Sequence, residues 1–130
     1  MARLYVLKSM IVSYLKYRRK AQGKYHLHSP MVYDLYEKVL EPSLSFRAKR
    51  SGVEKSLDAR LKAFINDNPL IFKSDDVVMI VKDIHRCKQN EADWERLVAD
   101  EKVRLSIDCW RFGMVFIMDR IKKEHYILKV

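Results

Sequence analysis

The hydrophobic period changes part-way along this 130-residue chain, and that change limits what it can fold into. In the first half the apolar residues recur three and four apart, as on one face of a helix. Leu4, Leu7, Ile11, Tyr14 and Leu15 predict a helix over 2–20. Lys16, Arg18, Arg19 and Lys20 fill its last turn, where cations suit the helix dipole, and Gly23 stands shortly beyond as a stop. Ser29-Pro30 predicts the start of a second helix: the serine caps free N–H groups, and proline fits the first helical position. Its apolar face is Val32, Leu35, Tyr36, Val39 and Leu40, and Pro42 is expected to end it. Residues 42–52 are polar and basic and read as a linker. A third helix follows on Val53, Leu57, Leu61, Phe64 and Ile65, broken at Asp67-Asn68-Pro69.

From residue 77 the pattern is that of strands. Val77–Val81 is a continuous apolar run, expected to be a strand covered on both faces. Asn90 is the expected cap of a helix with Glu91 and Asp93 in its first turn and Trp94, Leu97 and Val98 buried. Val103, Leu105, Ile107 and Cys109 alternate with Arg104, Ser106 and Asp108, which predicts a half-exposed strand. Gly113 marks a bend, Met114–Met118 a central strand, and Tyr126, Leu128 and Val130 a last strand. The order is three helices, a strand, a helix and three strands. We therefore expect an α/β fold: one domain over 1–130, with a small mixed sheet of three or four strands and about four helices. Within it, 1–41 are basic N-terminal helices, 42–52 the linker, and 53–130 the α/β part.

Three Gly, three Pro and two Cys exclude collagen-like, low-complexity and disulfide-scaffold classes, and 48% hydrophobic residues argue against disorder. Cys87 and Cys109 have no C-x-x-C spacing and read as reduced thiols of a cytoplasmic protein. Lys8 interrupts the apolar start, so the N-terminus does not read as a signal peptide, and no apolar stretch reads as a membrane span. The net charge is +9, and most of the excess lies in the first 33 residues, where seven basic side chains meet no acid. Such an arm attracts phosphate-rich polymers or anionic surfaces. Arg18, Arg19, Lys20, Lys24, His26 and His28 are the candidate anion- or nucleic-acid-binding residues. A structural role for the two histidines is the favoured reading, since no carboxylate or thiol accompanies them as metal ligands would require.

Two stretches, YRRKAQGKYHLHSPMVYDLYEKVL at 17–40 and residues 77–130, go beyond fold class. His28-Ser29-Pro30, Val32-Tyr33-Asp34, Asp83-Ile84-His85, Ile107-Asp108, Arg111, Gly113 and Glu124-His125 carry the resemblance. The chain resembles bacterial class I S-adenosylmethionine-dependent methyltransferases at both ends: an N-terminal basic helix with an H-S-P-x-V-Y-D signature and a C-terminal strand–helix–strand–strand block. The resemblance implies the C-terminal half of a Rossmann-like methyltransferase. The cofactor half has no counterpart. No G-x-G exists, and 41–76 holds no strand–Gly-turn–helix unit. The chain resembles two ends of such an enzyme joined near residues 43–56. Where metal-dependent relatives carry paired aspartates at a strand end, Lys82 precedes Asp83, and an ammonium repels a cation.

These features favour a catalytically inactive remnant that binds or oligomerises, with no cofactor and no metal. Asp83 and His85 are the candidate acid/base pair; a loop-capping Asp and a surface His are the plainer, favoured reading. Loss of the cofactor half would leave the Val77–Val81 strand edge open, so a homodimer through that edge or the N-terminal helix is expected. The alternatives are a partial methyltransferase completed by a second chain, and a nucleic-acid or anionic-surface binder using the basic arm.

Overall fold

The most apolar strand takes the centre of the sheet. In the computed structural model, which describes residues 12, 14–23, 27, 29–44 and 52–129, four strands form one mixed sheet: β1 (Val77–Lys82), β2 (Val103–Asp108), β3 (Phe112–Ile117) and β4 (Glu124–Ile127). Their order is β1-β3-β2-β4. β3 lies antiparallel to both β1 and β2, whereas β4 runs parallel to β2. The helices are α1 (14–20), the run α2 (Pro30–Leu35) to α3 (Glu41–Leu44), α4 (Val53–Asn66) and α5 (Lys88–Ala99). The fold is thus a small α/β fold. The described residues cluster into two compact units, 12–21 with Asp76–Lys129, and a helical unit within Gln22–Asp75.

In the sheet unit, α5 lays Trp94 on one face of the sheet. Ile84, Trp94, Val103 and Val115 form a buried cluster there, with Val81, Leu97, Val98 and Ile117 packed around it. α5 begins at Lys88, with Cys87 rather than Asn90 in the cap position. Asn90 lies inside the helix, and its side-chain amide donates to the Asp83 carbonyl at 3.0 Å, fastening the helix to the preceding loop.

Two strands differ from expectation. Among the described residues β1 has a strand neighbour on one side only, β3, and its residues are exposed or half-buried, so the apolar run is an edge strand. β2 is buried along nearly its whole length. A bulge between Val103 and Leu105 sets Arg104 out of register. Val103 then joins the α5-side cluster, while Leu105 and Ile107 register with Phe116 and Met114. The polar residues of that strand, Ser106 and Asp108, are buried because each has a side-chain partner.

In the helical unit, the Ser29 hydroxyl accepts from the Val32 N–H at 3.4 Å, with Pro30 in the first turn, as expected. Pro42 does not end the helix. The turn Tyr36–Leu40 widens to a π-helix, in which the Glu41 N–H reaches back to the Tyr36 carbonyl. A proline ring clashes with the carbonyl four residues back, and a π turn moves that carbonyl away. The helix therefore continues through Leu44, which shortens the expected linker; 45–51 lie outside the described residues. α4 packs Leu57, Leu61 and Phe64 inward against the π turn and α3.

Gly113 is not a bend. It sits within β3, opposite Val81 and Asp108, and a Cβ there would lie 2.5 Å from the Trp94 ring. Glycine leaves the room that the indole occupies against the strand. Gly113→Ala should destabilise the protein by about 1–3 kcal/mol through overpacking. A lowered urea midpoint with unchanged slope checks this.

Candidate functional site

His85 leaves β1 in the loop before α5 and is held by two carboxylates. Its Nε2 is 2.6 Å from Asp108 Oδ2 at the end of β2, and its Nδ1 is 2.8 Å from Glu91 Oε2 in the first turn of α5. The Asp108 side chain is 6% exposed and that of His85 14%. Carboxylates only accept, so both ring nitrogens must donate, which is the imidazolium form. The pKa of His85 is raised above the ordinary 6.5. Burial, the largest influence, lowers it, but the hydrogen bonds and charges of Asp108 and Glu91 outweigh burial together.

An aromatic stack closes over this ion pair. The Trp110 ring lies parallel to the imidazole, 4.7 Å between centroids and 12° between planes. Tyr17 of α1 sits 5.4 Å from Trp110, and its hydroxyl donates to the Leu128 carbonyl. Tyr14 meets Trp110 edge-on at 5.0 Å. Trp110 adopts a φ of 70°, a region costly for a bulky residue. Asp108 Oδ1 holds it there by accepting the Trp110 N–H at 2.9 Å. Burial and the Asp108 charge push the adjacent Cys109 thiol up, so it stays protonated.

Beside the ion pair, His125 of β4 bonds through Nδ1 to the Ser106 hydroxyl at 2.6 Å. Its pKa is lowered, chiefly by burial and further by Lys123, with Asp108 opposing, so the ring is neutral near pH 7. The buried Ser106 hydroxyl has this nitrogen as its side-chain partner. Ser106 is 2% exposed and does not line the cleft, so the pair is not arranged as a nucleophile and base facing a substrate. The cleft itself, about 620 Å³, opens between α1, α5 and the sheet. Lys16, Tyr17 and Lys20 line it from α1, Lys88, Glu91 and Glu95 from α5, and Asp108 and His125 from the sheet.

Asp83 and His85 are not brought together as an acid/base pair. Asp83 takes a left-handed φ of 56°, which Asp tolerates, and its carboxylate lies 3.7 Å from Arg86 on the surface. His85 is not a surface residue either; its partners lie 6 and 23 positions away in sequence. Of the basic-arm candidates, Lys20 lines the cleft, whereas Arg18 and Arg19 are exposed and do not. Lys24, His26 and His28 lie outside the described residues. Sequence reasoning missed Asp108, Glu91, His125, Lys16 and Lys88 as members of one site. Among the described residues no cluster could hold a metal ion, and no helix is long and apolar enough to cross a membrane. Comparison with family models, curated proteins and solved structures gives no match.

The two histidines shape stability against pH in opposite directions. The raised pKa of His85 gives a contribution complete below 6.5 and lost as pH rises through its folded-state value. The lowered pKa of His125 gives one present above 6.5 and lost as pH falls through its folded-state value. Urea midpoints between about pH 5 and 8 should therefore peak near 6.5, with His85→Gln removing the alkaline limb and His125→Gln the acid one. In Asp108→Asn, where burial is left against one carboxylate, the His85 ring protons should titrate at lower pH in NMR spectra.

Proposed function

We propose that this chain is a methyltransferase-like remnant without catalytic activity, which works by pairing with a second copy of itself along β1. The observation that carries this reading is the position of β1. It is the outermost strand, it bonds to β3 alone among the described residues, and Val77 and Met79 are 45% and 38% exposed. An apolar edge strand of six residues is a template for another strand, which proteins ordinarily cover or interrupt. An antiparallel two-fold pairing along this edge covers Val77 and Met79 of both copies.

Two further observations support the remnant. β1, α5, β2 and β3 follow one another in the strand–helix–strand–strand succession that the resemblance implied. His85, the base of the expected acid/base pair, has both nitrogens engaged by carboxylates and no lone pair for a substrate proton.

Sedimentation velocity at tens of micromolar should give a dimer for the wild-type chain. Met79→Lys, a substitution on a half-exposed edge position, should give a folded monomer. A wild-type monomer, or a dimer that survives this change, overturns the pairing, and co-purification of a second methyltransferase-like chain would replace it with a mixed assembly. S-adenosylmethionine at about 1 mM should leave the melting temperature unchanged. A shift of several degrees, expected for a ligand near 100 times its Kd, would overturn the remnant reading.

A further inference from the structure

Among its described residues, α1 buries Tyr17 alone. That side chain is 8% exposed, and its hydroxyl donates to the Leu128 carbonyl, which fixes the side of the helix that faces the sheet. Leu15 and Arg19 stand two positions before and after Tyr17, roughly 160° round the helix from it, so they share the opposite side. Leu15 is 56% exposed, and Val12, three positions earlier on the same side, is 51% exposed. Residues three apart on a helix are neighbours, so two aliphatic side chains lie together in water on the outward face. Cations surround them. Lys16 and Arg18 flank this face, Arg19 lies within it and Lys20 follows, and all four are exposed. Among the described residues no carboxylate pairs with any of the four, and the first 33 residues of the chain contain no acid.

We propose that this face of α1 docks on the surface of an anionic lipid membrane, lying in the interfacial plane without crossing it. Val12 and Leu15 enter the boundary between headgroups and acyl chains, and Lys16, Arg18, Arg19 and Lys20 meet the phosphates around them. Lysine and arginine do this from the flanks because their stems lie along apolar surface while the charged heads stay in water. A nucleic acid would engage the same cations but leave both aliphatic side chains in water. The residues used lie on α1 and none on β1, so the docking stands independently of self-association.

The test is co-sedimentation of the full chain with vesicles of equal parts phosphatidylglycerol and phosphatidylcholine, set against vesicles of phosphatidylcholine alone. The chain should bind the anionic vesicles, and those of phosphatidylcholine at least about tenfold more weakly, since each cation near an anionic surface adds to the affinity. Arg18→Gln with Arg19→Gln should weaken binding to the anionic vesicles by a similar factor. Lys55→Gln with Lys62→Gln removes the same charge from exposed positions of α4 and should change binding by less than about twofold. Val12→Ser with Leu15→Ser should weaken binding by about tenfold through lost apolar burial, while the urea midpoint stays that of the wild type because both side chains are exposed. No binding to the anionic vesicles, equal binding to both kinds, equal weakening by the α4 changes, or serine variants that bind as the wild type does overturns the proposal. So does a short oligoribonucleotide that binds more tightly than the anionic vesicles and is held equally by the serine variants, which would assign the cations to nucleic acid.

Discussion

The contact between His85 and Asp108 joins elements that are distant in sequence. Through Nε2 the imidazolium binds the end of β2, and through Nδ1 it binds the first turn of α5, so the loop that leaves β1 cannot move without breaking both bonds. Asp108 carries more than this. Its second oxygen holds the Trp110 N–H, and its carbonyl accepts from the Leu128 N–H just beyond β4. A buried carboxylate alone would be expensive to desolvate. Pairing it with an imidazolium and a backbone N–H offsets that cost, and losing one partner would leave a charge stranded in the interior. The aromatic stack follows from the same pair. Trp110 keeps an unfavourable backbone angle because its N–H and its ring are both fixed from below.

The architecture was largely legible, since helical and strand periods differ over many residues and the element order needs nothing else. Burial was less so. The five apolar residues Val77–Val81 read as a strand covered on both faces, yet nothing in a strand's own residues states how many neighbours it has. β2 erred the other way. Ser106 and Asp108 read as solvent-facing because polar side chains ordinarily are. Their partners, His125 and His85, come from separate elements and make burial tolerable. Pro42 read as a stop, and a local widening of the helix absorbed it.

The site shows the same limit more sharply. Asp83 stood two positions from His85 and invited pairing, but adjacent loop residues diverge once the backbone turns left-handed at Asp83. The true partner was recoverable in principle. An aspartate at the end of a strand with Val103, Leu105 and Ile107 buried needs a cation or donors, and a histidine preceding a helix with Glu91 in its first turn is one. What no local pattern gives is the approach of α1, whose Tyr17 reaches Leu128 across 111 positions and brings Lys16 and Lys20 to the cleft.

The ion pair and the cleft are one electrostatic system. Were His85 neutral, two carboxylates would share one proton donor fewer, and the excess negative charge would fall on the wall that the lysines face. With the imidazolium in place, the Asp108 and Glu91 carboxylates each face a positive charge at the ion pair. That charge locks α5 to the sheet. A histidine that has given both nitrogens to carboxylates is committed to holding these elements together and has no lone pair for a substrate proton.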